Sequence, residues 1–286
     1  MKRIEELQIR LFSDGADMAS ILEMCAKPWI RGFTTNPTLM RKAGVEDYEA
    51  FARALLRAVP DRPISLEVFA DDEGEMELQA LTMATWGANV NVKIPVTNRA
   101  GVFLGALIRR LAAAGVALNV TAVFTLEQVE CVVEALTPET WAIVSVFAGR
   151  IADTGVDPIP IMAEAKRILR WRPRAQLLWA SPRELLNVFQ ADEAGCDIIT
   201  VPPEMLRKID LVGKNLAAYS RETVDMFHRD AHAAAYQIDT GVLAVARPRR
   251  RPSVVVAAQD DLRSLGKIPR EVVGAGIGTL DRGAGV

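Results

Sequence analysis

Lys93 lies near the end of a β-branched run, Val90-Asn91-Val92-Lys93-Ile94-Pro95, that reads as a buried strand closed by a proline. An ammonium group there loses hydration, so burial favours the neutral amine, which is a nucleophile able to form a Schiff base with a ketone. Burial and a neighbouring cation together would prepare it for that attack. On this stretch alone the plainer reading, a strand-end lysine snorkelling to solvent, is favoured. Other residues change the balance. Asp14 and Glu67 also close apolar segments, and imine chemistry needs one group to shuttle protons and another to take a hydroxyl proton as a carbon–carbon bond breaks. Asn36, Asn119, Thr121 and Ser145 are neutral hydrogen bonders suited to a polyol. Arg150 and Arg183 follow two further segments and could converge on a phosphate-like anion. Each has a plain alternative: Asp14 and Asn36 as helix caps, Ser145 satisfying a backbone group, an arginine paired with a surface carboxylate.

The elements that must carry these residues alternate along the chain. Strand-like segments are centred on Gln8–Asp14, Gly32–Thr34, Ile64–Phe69, the Lys93 run, Val116–Thr121, Trp141–Ser145, Gln176–Ser181 and Cys196–Val201. Helical patterns run through Met18–Met24, Asp47–Val59, Glu73–Ala84, Gly101–Ala114, Thr125–Leu136 and Pro160–Trp171, and Thr125 with Gln128 fits a capping box. Between the sixth strand and its helix, Arg150 and Asp153 are expected on a loop. The polar strand ends fall at Asp14, Asn36, Glu67, Lys93, Asn119, Ser145, Ser181 and Thr200. Eight βα repeats with polar groups at the C-terminal strand ends predict an α/β chain folded as a (β/α)₈ TIM barrel, whose chemistry gathers at that face. A doubly wound sheet would not bring eight strand ends together, and the glycine-rich dinucleotide fingerprint is absent.

Composition limits the partners. With 286 residues, 50% apolar and 24% charged, and a net charge of −2, the chain reads as soluble and globular, with no polyanionic partner such as nucleic acid implied. The start, Met1-Lys2-Arg3-Ile4-Glu5-Glu6, does not read as a signal peptide, and no apolar run is long enough to span a bilayer. Cys25, Cys131 and Cys196 lack metal-ligand spacing, so a reducing cytoplasm is expected and no metal. His228 and His232 stand four apart with no evident third ligand and read as exposed helix positions. After the eighth strand, Pro203 to Tyr236 reads as one or two helices that complete a barrel domain over 1–236. Residues 237–286, with Arg247-Pro248-Arg249-Arg250-Arg251-Pro252 and a glycine-rich end, read as a C-terminal extension.

From about Leu11 to Leu206 the chain resembles the transaldolases. The matching stretches are Leu11-Phe12-Ser13-Asp14, Gly32-Phe33-Thr34-Thr35-Asn36-Pro37-Thr38, Val92-Lys93-Ile94-Pro95, Asn119-Val120-Thr121, Ser145-Val146-Phe147-Ala148-Gly149-Arg150, Ala180-Ser181-Pro182-Arg183 and Ile199-Thr200-Val201-Pro202-Pro203-Glu204. The resemblance implies a class I aldolase-type barrel with Lys93 as the imine lysine. Asp14 would handle the hydroxyl proton, and Glu67 with Thr121 would position a proton-shuttling water. Thr34, Asn36, Asn119, Ser145 and Phe147 would surround a dihydroxyacetone unit, and Arg150, Ser181 and Arg183 a distal phosphate. The substrate would be a sugar phosphate or similar anionic sugar, with no metal or organic cofactor, and a homo-oligomer is expected. Fructose 6-phosphate aldolases share the scaffold but tend to carry glutamine at the Glu67 position and tyrosine at the Phe147 position, so transfer is expected over cleavage. The chain departs from the family at Trp179, expected on the same face as Ser181 toward the barrel interior, at Pro182, and around Ser13 and Gly15. These departures leave the lysine and both carboxylates intact and put the anion end of the substrate, phosphate, sulfonate or a specialised sugar, in question.

Overall fold

The computed structural model of the chain describes residues 4–239. Eight parallel strands, β1 (Arg10–Asp14), β2 (Ile30–Thr34), β3 (Ile64–Glu67), β4 (Val90–Pro95), β5 (Leu118–Val123), β6 (Ala142–Val146), β7 (Ala175–Trp179) and β8 (Ile198–Val201), close into a barrel in chain order. The last strand pairs with the first, Thr200 opposite Phe12, so no sheet edge is left open. This is the (β/α)₈ barrel that the alternation of segments predicts.

Strand alternation sorts the side chains into two apolar layers. One residue set faces the surrounding helices and forms the large core, among them Leu11, Leu66, Val92, Ile94, Leu118, Leu177 and Trp179. The other set fills the barrel: Phe12, Ile143, Leu178, Ala180 and Ile198 make a small inner cluster with Phe147 packed against it. Gly32 completes that floor, because a β-carbon there would sit 2.5 Å from the Phe12 ring. The inner cluster is the platform beneath the polar strand ends.

Connecting helices begin where acceptor side chains cap them. Asp17, Asp47, Asp72 and Asp157 each accept a backbone N–H of their helix, and Thr125 with Gln128 forms the expected capping box. Two short helices differ from the sequence expectation. Pro37–Lys42 follows β2 directly, with Asn36 as its cap and a proline in its first turn. Ala148–Asp153 occupies the stretch expected as a loop, so Arg150 and Asp153 sit on a helix. Gly149 permits it: a β-carbon there would lie 1.5 Å from the Ser181 carbonyl oxygen, so the helix start rests on the end of the β7 segment.

The barrel and its connections form one compact unit ending at Ser220. After β8 come the helix Pro203–Leu206, a 3-10 turn at Ile209–Leu211 and the helix Leu216–Ala233. His228 and His232 are exposed on that last helix, their ring centres 4.4 Å apart. Among the described residues no group of His, Cys, Asp and Glu is arranged to hold a metal ion, and no helix is long and apolar enough to cross a membrane. Of the expected extension, all but residues 237–239 lies outside the described residues, and so does the arginine cluster at 247–251.

Candidate active site

Parallel pairing places Glu67 beside Lys93 and Lys93 beside Asn119, so three polar side chains from β3, β4 and β5 stand in one row. Lys93 is 6% exposed. Its Nζ lies 2.9 Å from a Glu67 carboxylate oxygen and donates to the backbone carbonyl of Thr35 at 3.0 Å. The lysine therefore does not snorkel to solvent. Its charged neighbour at contact distance is a carboxylate, where the sequence reading calls for a cation. Tyr48 fixes the strand end that presents Glu67, since its hydroxyl donates to the Glu67 backbone carbonyl at 2.7 Å. Burial pushes the Tyr48 phenol well above its usual range, so it stays a donor.

Asn119 is held on both sides. The Ser145 hydroxyl donates to its Oδ1 at 2.7 Å, and its Nδ2 donates to Ser65 Oγ at 3.0 Å. Ser145 therefore bonds a side chain rather than a backbone group. Two residues on, Thr121 is buried and its hydroxyl has no hydrogen-bond partner among the described residues. The next residue, Ala122, has φ of 58°, and the β5–β6 register shifts between Val120 and Val123. A left-handed alanine costs about 1–2 kcal/mol, and a bulge of this kind re-aims the side chains beside it.

On the other side of the barrel Asp14 stands opposite Thr34. Asp14 caps no helix: Oδ1 accepts from the Thr34 hydroxyl at 2.7 Å, and that hydroxyl is also bonded to Thr200. Burial raises the Asp14 pKa, while the Lys93 charge and the Thr34 hydrogen bond oppose the shift. Asn36 does serve as a cap, accepting the Leu39 N–H at 3.0 Å, which leaves its amide N–H groups for a ligand.

These groups line one pocket of about 830 Å³, within the range of small-molecule sites. Asp14, Thr34, Asn36, Glu67, Lys93, Asn119, Thr121, Ser145, Phe147, Arg150, Ser181 and Arg183 all contribute to its wall. At its rim Arg150 lies over the Phe147 ring, 5.1 Å from the centroid. Arg183 already has a partner: its Nε donates to Asp153 Oδ1 at 2.8 Å and its terminal nitrogen contacts Oδ2. The plain alternative thus holds for this arginine, and the guanidinium keeps the Asp153 carboxyl below its usual range. Ser181 reaches the pocket through a left-handed turn, φ 63°, beyond the end of β7.

Trp179 is not in the site. It is fully buried among the residues that face the helices, because Leu178 on β7 and Ala180 just after it face inward and the turn at Ser181 breaks the alternation. Two residues with no assigned role bond directly to site residues instead: Ser65 to Asn119 and Thr200 to Thr34. Ser65 shares strand parity with Glu67, a signal the sequence carries. Thr200 is one of the eight polar strand ends, but its contact with Thr34 spans β8 to β2 and leaves no trace in local spacing.

Comparison with known proteins points to one family. The family profile described as Transaldolase/Fructose-6-phosphate aldolase matches residues 11–244. A protein of Dehalococcoides mccartyi named "Probable transaldolase" is 34% identical over 202 residues, spanning 70% of this chain and 90% of its own. "Probable transaldolase 2" of Listeria monocytogenes is 32% identical over 202 residues, 70% of this chain and 88% of its own. "Probable transaldolase" of Thermoplasma volcanium is 33% identical over 202 residues, 70% of this chain and 86% of its own. With a matching profile across most of the chain, a barrel of eight parallel strands and a buried lysine among carboxylates at its C-terminal face, the chain belongs to the transaldolase/fructose-6-phosphate aldolase family.

Proposed function

We propose that the protein is a transaldolase, moving a dihydroxyacetone unit from a ketose phosphate, or a related anionic ketose, to an aldose through an imine on Lys93. The observation that carries this reading is the buried Lys93 amine at 2.9 Å from the Glu67 carboxylate, in a pocket that also holds Asp14. In this scheme Lys93 passes a proton toward Glu67 and attacks the ketose carbonyl carbon. Glu67, with a water bound to the free Thr121 hydroxyl, then returns protons to the departing oxygen, which leaves as water. A buried hydroxyl without a partner costs about 1–3 kcal/mol, and a proton-shuttling water gives it one.

Asp14 takes the proton of the hydroxyl on the carbon that becomes the aldehyde. The electrons of the breaking carbon–carbon bond flow into the iminium, leaving an enamine on Lys93. Addition of that enamine to a second aldehyde reverses the step, and hydrolysis frees the product ketose. Thr34, Asn36, Asn119 and Ser145 hold the three-carbon unit. Arg150, Ser181 and Arg183 receive the distal anion, for which Arg183 must share or exchange Asp153. Trp179, turned away from the pocket, plays no part in that choice. The scheme calls on no metal or organic cofactor.

Transfer is favoured over cleavage because Phe147 offers no proton to the enamine carbon, so the intermediate waits for an aldehyde. The test is incubation with fructose 6-phosphate, alone and with erythrose 4-phosphate. The expected outcome is a seven-carbon ketose phosphate with acceptor and little free dihydroxyacetone without it. Equally fast release of dihydroxyacetone without acceptor would replace transfer with cleavage, and neither product would leave a sugar-phosphate-binding barrel.

A further inference from the structure

Thr200 is buried on β8, paired across the strands with Phe12, and strand parity turns its side chain toward the barrel interior. Its Oγ1 meets the Thr34 hydroxyl, which itself bonds Asp14 Oδ1 at 2.7 Å. The contact spans β1, so three neighbouring strands, β8, β1 and β2, each contribute one member. Both threonines are nearly sealed from solvent, Thr34 at 4% and Thr200 at 5% exposed.

A hydroxyl has one proton. When Asp14 is a carboxylate it only accepts, so the Thr34 proton goes to Asp14, and the proton shared by the threonines must then be that of Thr200. The order is Thr200 to Thr34 to Asp14. When Asp14 takes a proton it can donate to Thr34, whose own proton then turns to Thr200. The chain has two polarities, and each matches one protonation state of Asp14. In a buried setting such chains polarise one another, so the outer bond strengthens the inner one.

We infer that Thr200 is a positioning residue that acts on Asp14 through Thr34, stabilising the carboxylate that accepts the substrate hydroxyl proton and turning its hydrogen bond around once that proton has moved. This rests on the reading of Asp14 as the proton acceptor of carbon–carbon cleavage. Desolvation works against the Asp14 carboxylate, so a second hydroxyl in line favours it where help is needed. The other groups facing Asp14 are Lys93 on β4, which lowers its pKa, and Glu67 on β3 and Glu204 on the helix Pro203–Leu206, which raise it. Thr200 touches none of these in the hydrogen-bond network, so its replacement isolates the hydroxyl chain.

The test compares wild type with Thr200→Val, which keeps the shape and removes the hydroxyl, and Thr200→Ser, which restores it. Asp14 is titrated in the free protein by carbon-13 NMR of labelled aspartate carboxyls, its signal assigned by loss in Asp14→Asn. The Asp14 midpoint should move upward in Thr200→Val by about half a pH unit or more and return in Thr200→Ser. In turnover, kcat at neutral pH should fall about three- to tenfold with KM nearly unchanged, and the acid limb of kcat/KM should move up with the NMR midpoint. If Thr200→Val does not fold, Thr200→Ala carries the same measurement. An Asp14 midpoint identical in wild type and the hydroxyl-free variant overturns the inference. The NMR arm needs no substrate, so a wild type that fails to transfer dihydroxyacetone counts against the proposed function and not against this contact.

Discussion

At the centre of the pocket Lys93 is 6% exposed and held by a carboxylate at 2.9 Å and a carbonyl at 3.0 Å. At the rim, the Arg183 and Asp153 side chains are 44% and 52% exposed, and each is the other's main partner. The central groups stand on strands, in register with one another, and their positions are set by the barrel's own hydrogen bonds. The rim groups stand on connections: the helix Ala148–Asp153, and the turn after β7. A central side chain cannot shift without disturbing a buried neighbour that has no water to replace it. A rim side chain can, because solvent screens its pair and water takes over its bonds. On the proposed function, this division would tie the reaction to the lattice of strands and leave the choice of distal anion to parts that can change cheaply.

Substitutions can break or sharpen this contrast, and the centre should respond most. Asp14→Asn should lower kcat by about 10²–10⁴-fold, the usual worth of one proton transfer. Stability should move the other way. Burial raises the Asp14 pKa above its ordinary 3.8, so this group favours the folded state fully only below that value, and the contribution is lost as pH rises through the raised one. At neutral pH the buried charge is a cost, and Asp14→Asn should raise the melting temperature by about 2–4 °C. A variant both slower and less stable at pH 7, with the same stability difference at pH 4, would show that Asp14 is not strained by its site.

Glu67→Gln should lower kcat by roughly 10²-fold, with borohydride-trapped adduct forming more slowly but still on Lys93. Thr121→Val should cost about tenfold in kcat without lowering the melting temperature, because the hydroxyl removed has no protein partner to leave behind. If unfolding measurements show a clear loss of stability there, Thr121 is serving the fold. The smallest effect belongs to the rim. Asp153→Asn frees Arg183 from a charged partner and should change KM for a phosphorylated ketose by about two- to threefold, leaving kcat and the melting temperature almost unmoved. A large fall in kcat would erase the distinction between centre and rim.

The same contrast explains what could be read from the sequence. Strand ends announce themselves: apolar runs closed by Glu67, Lys93 and Asn119 already define the central row, and Asp14 faces it from β1, because a parallel barrel brings all C-terminal strand ends to one face. The capping box at Thr125 is equally local and equally visible. The connections are less legible. Asn36-Pro37 carried the cap and first-turn proline of a short helix, but a proline after a strand is also a plain strand terminator, and both readings are true at once. Strand alternation carried through to Ser181 puts Trp179 on the inner face, but the left-handed residue at Ser181 breaks that alternation. The Arg183–Asp153 pair and the Thr200–Thr34 contact join residues 30 and 166 positions apart, and only the closed barrel brings them together.

The most direct measurement is borohydride reduction of the protein in the presence of fructose 6-phosphate, read by intact and peptide mass. The expected result is a stable adduct of one dihydroxyacetone unit on the peptide containing Lys93, absent in Lys93→Met, whose turnover should fall at least about 10⁴-fold. A folded wild type that forms no adduct with any phosphorylated ketose, or forms one that survives in Lys93→Met, would contradict imine catalysis at this lysine.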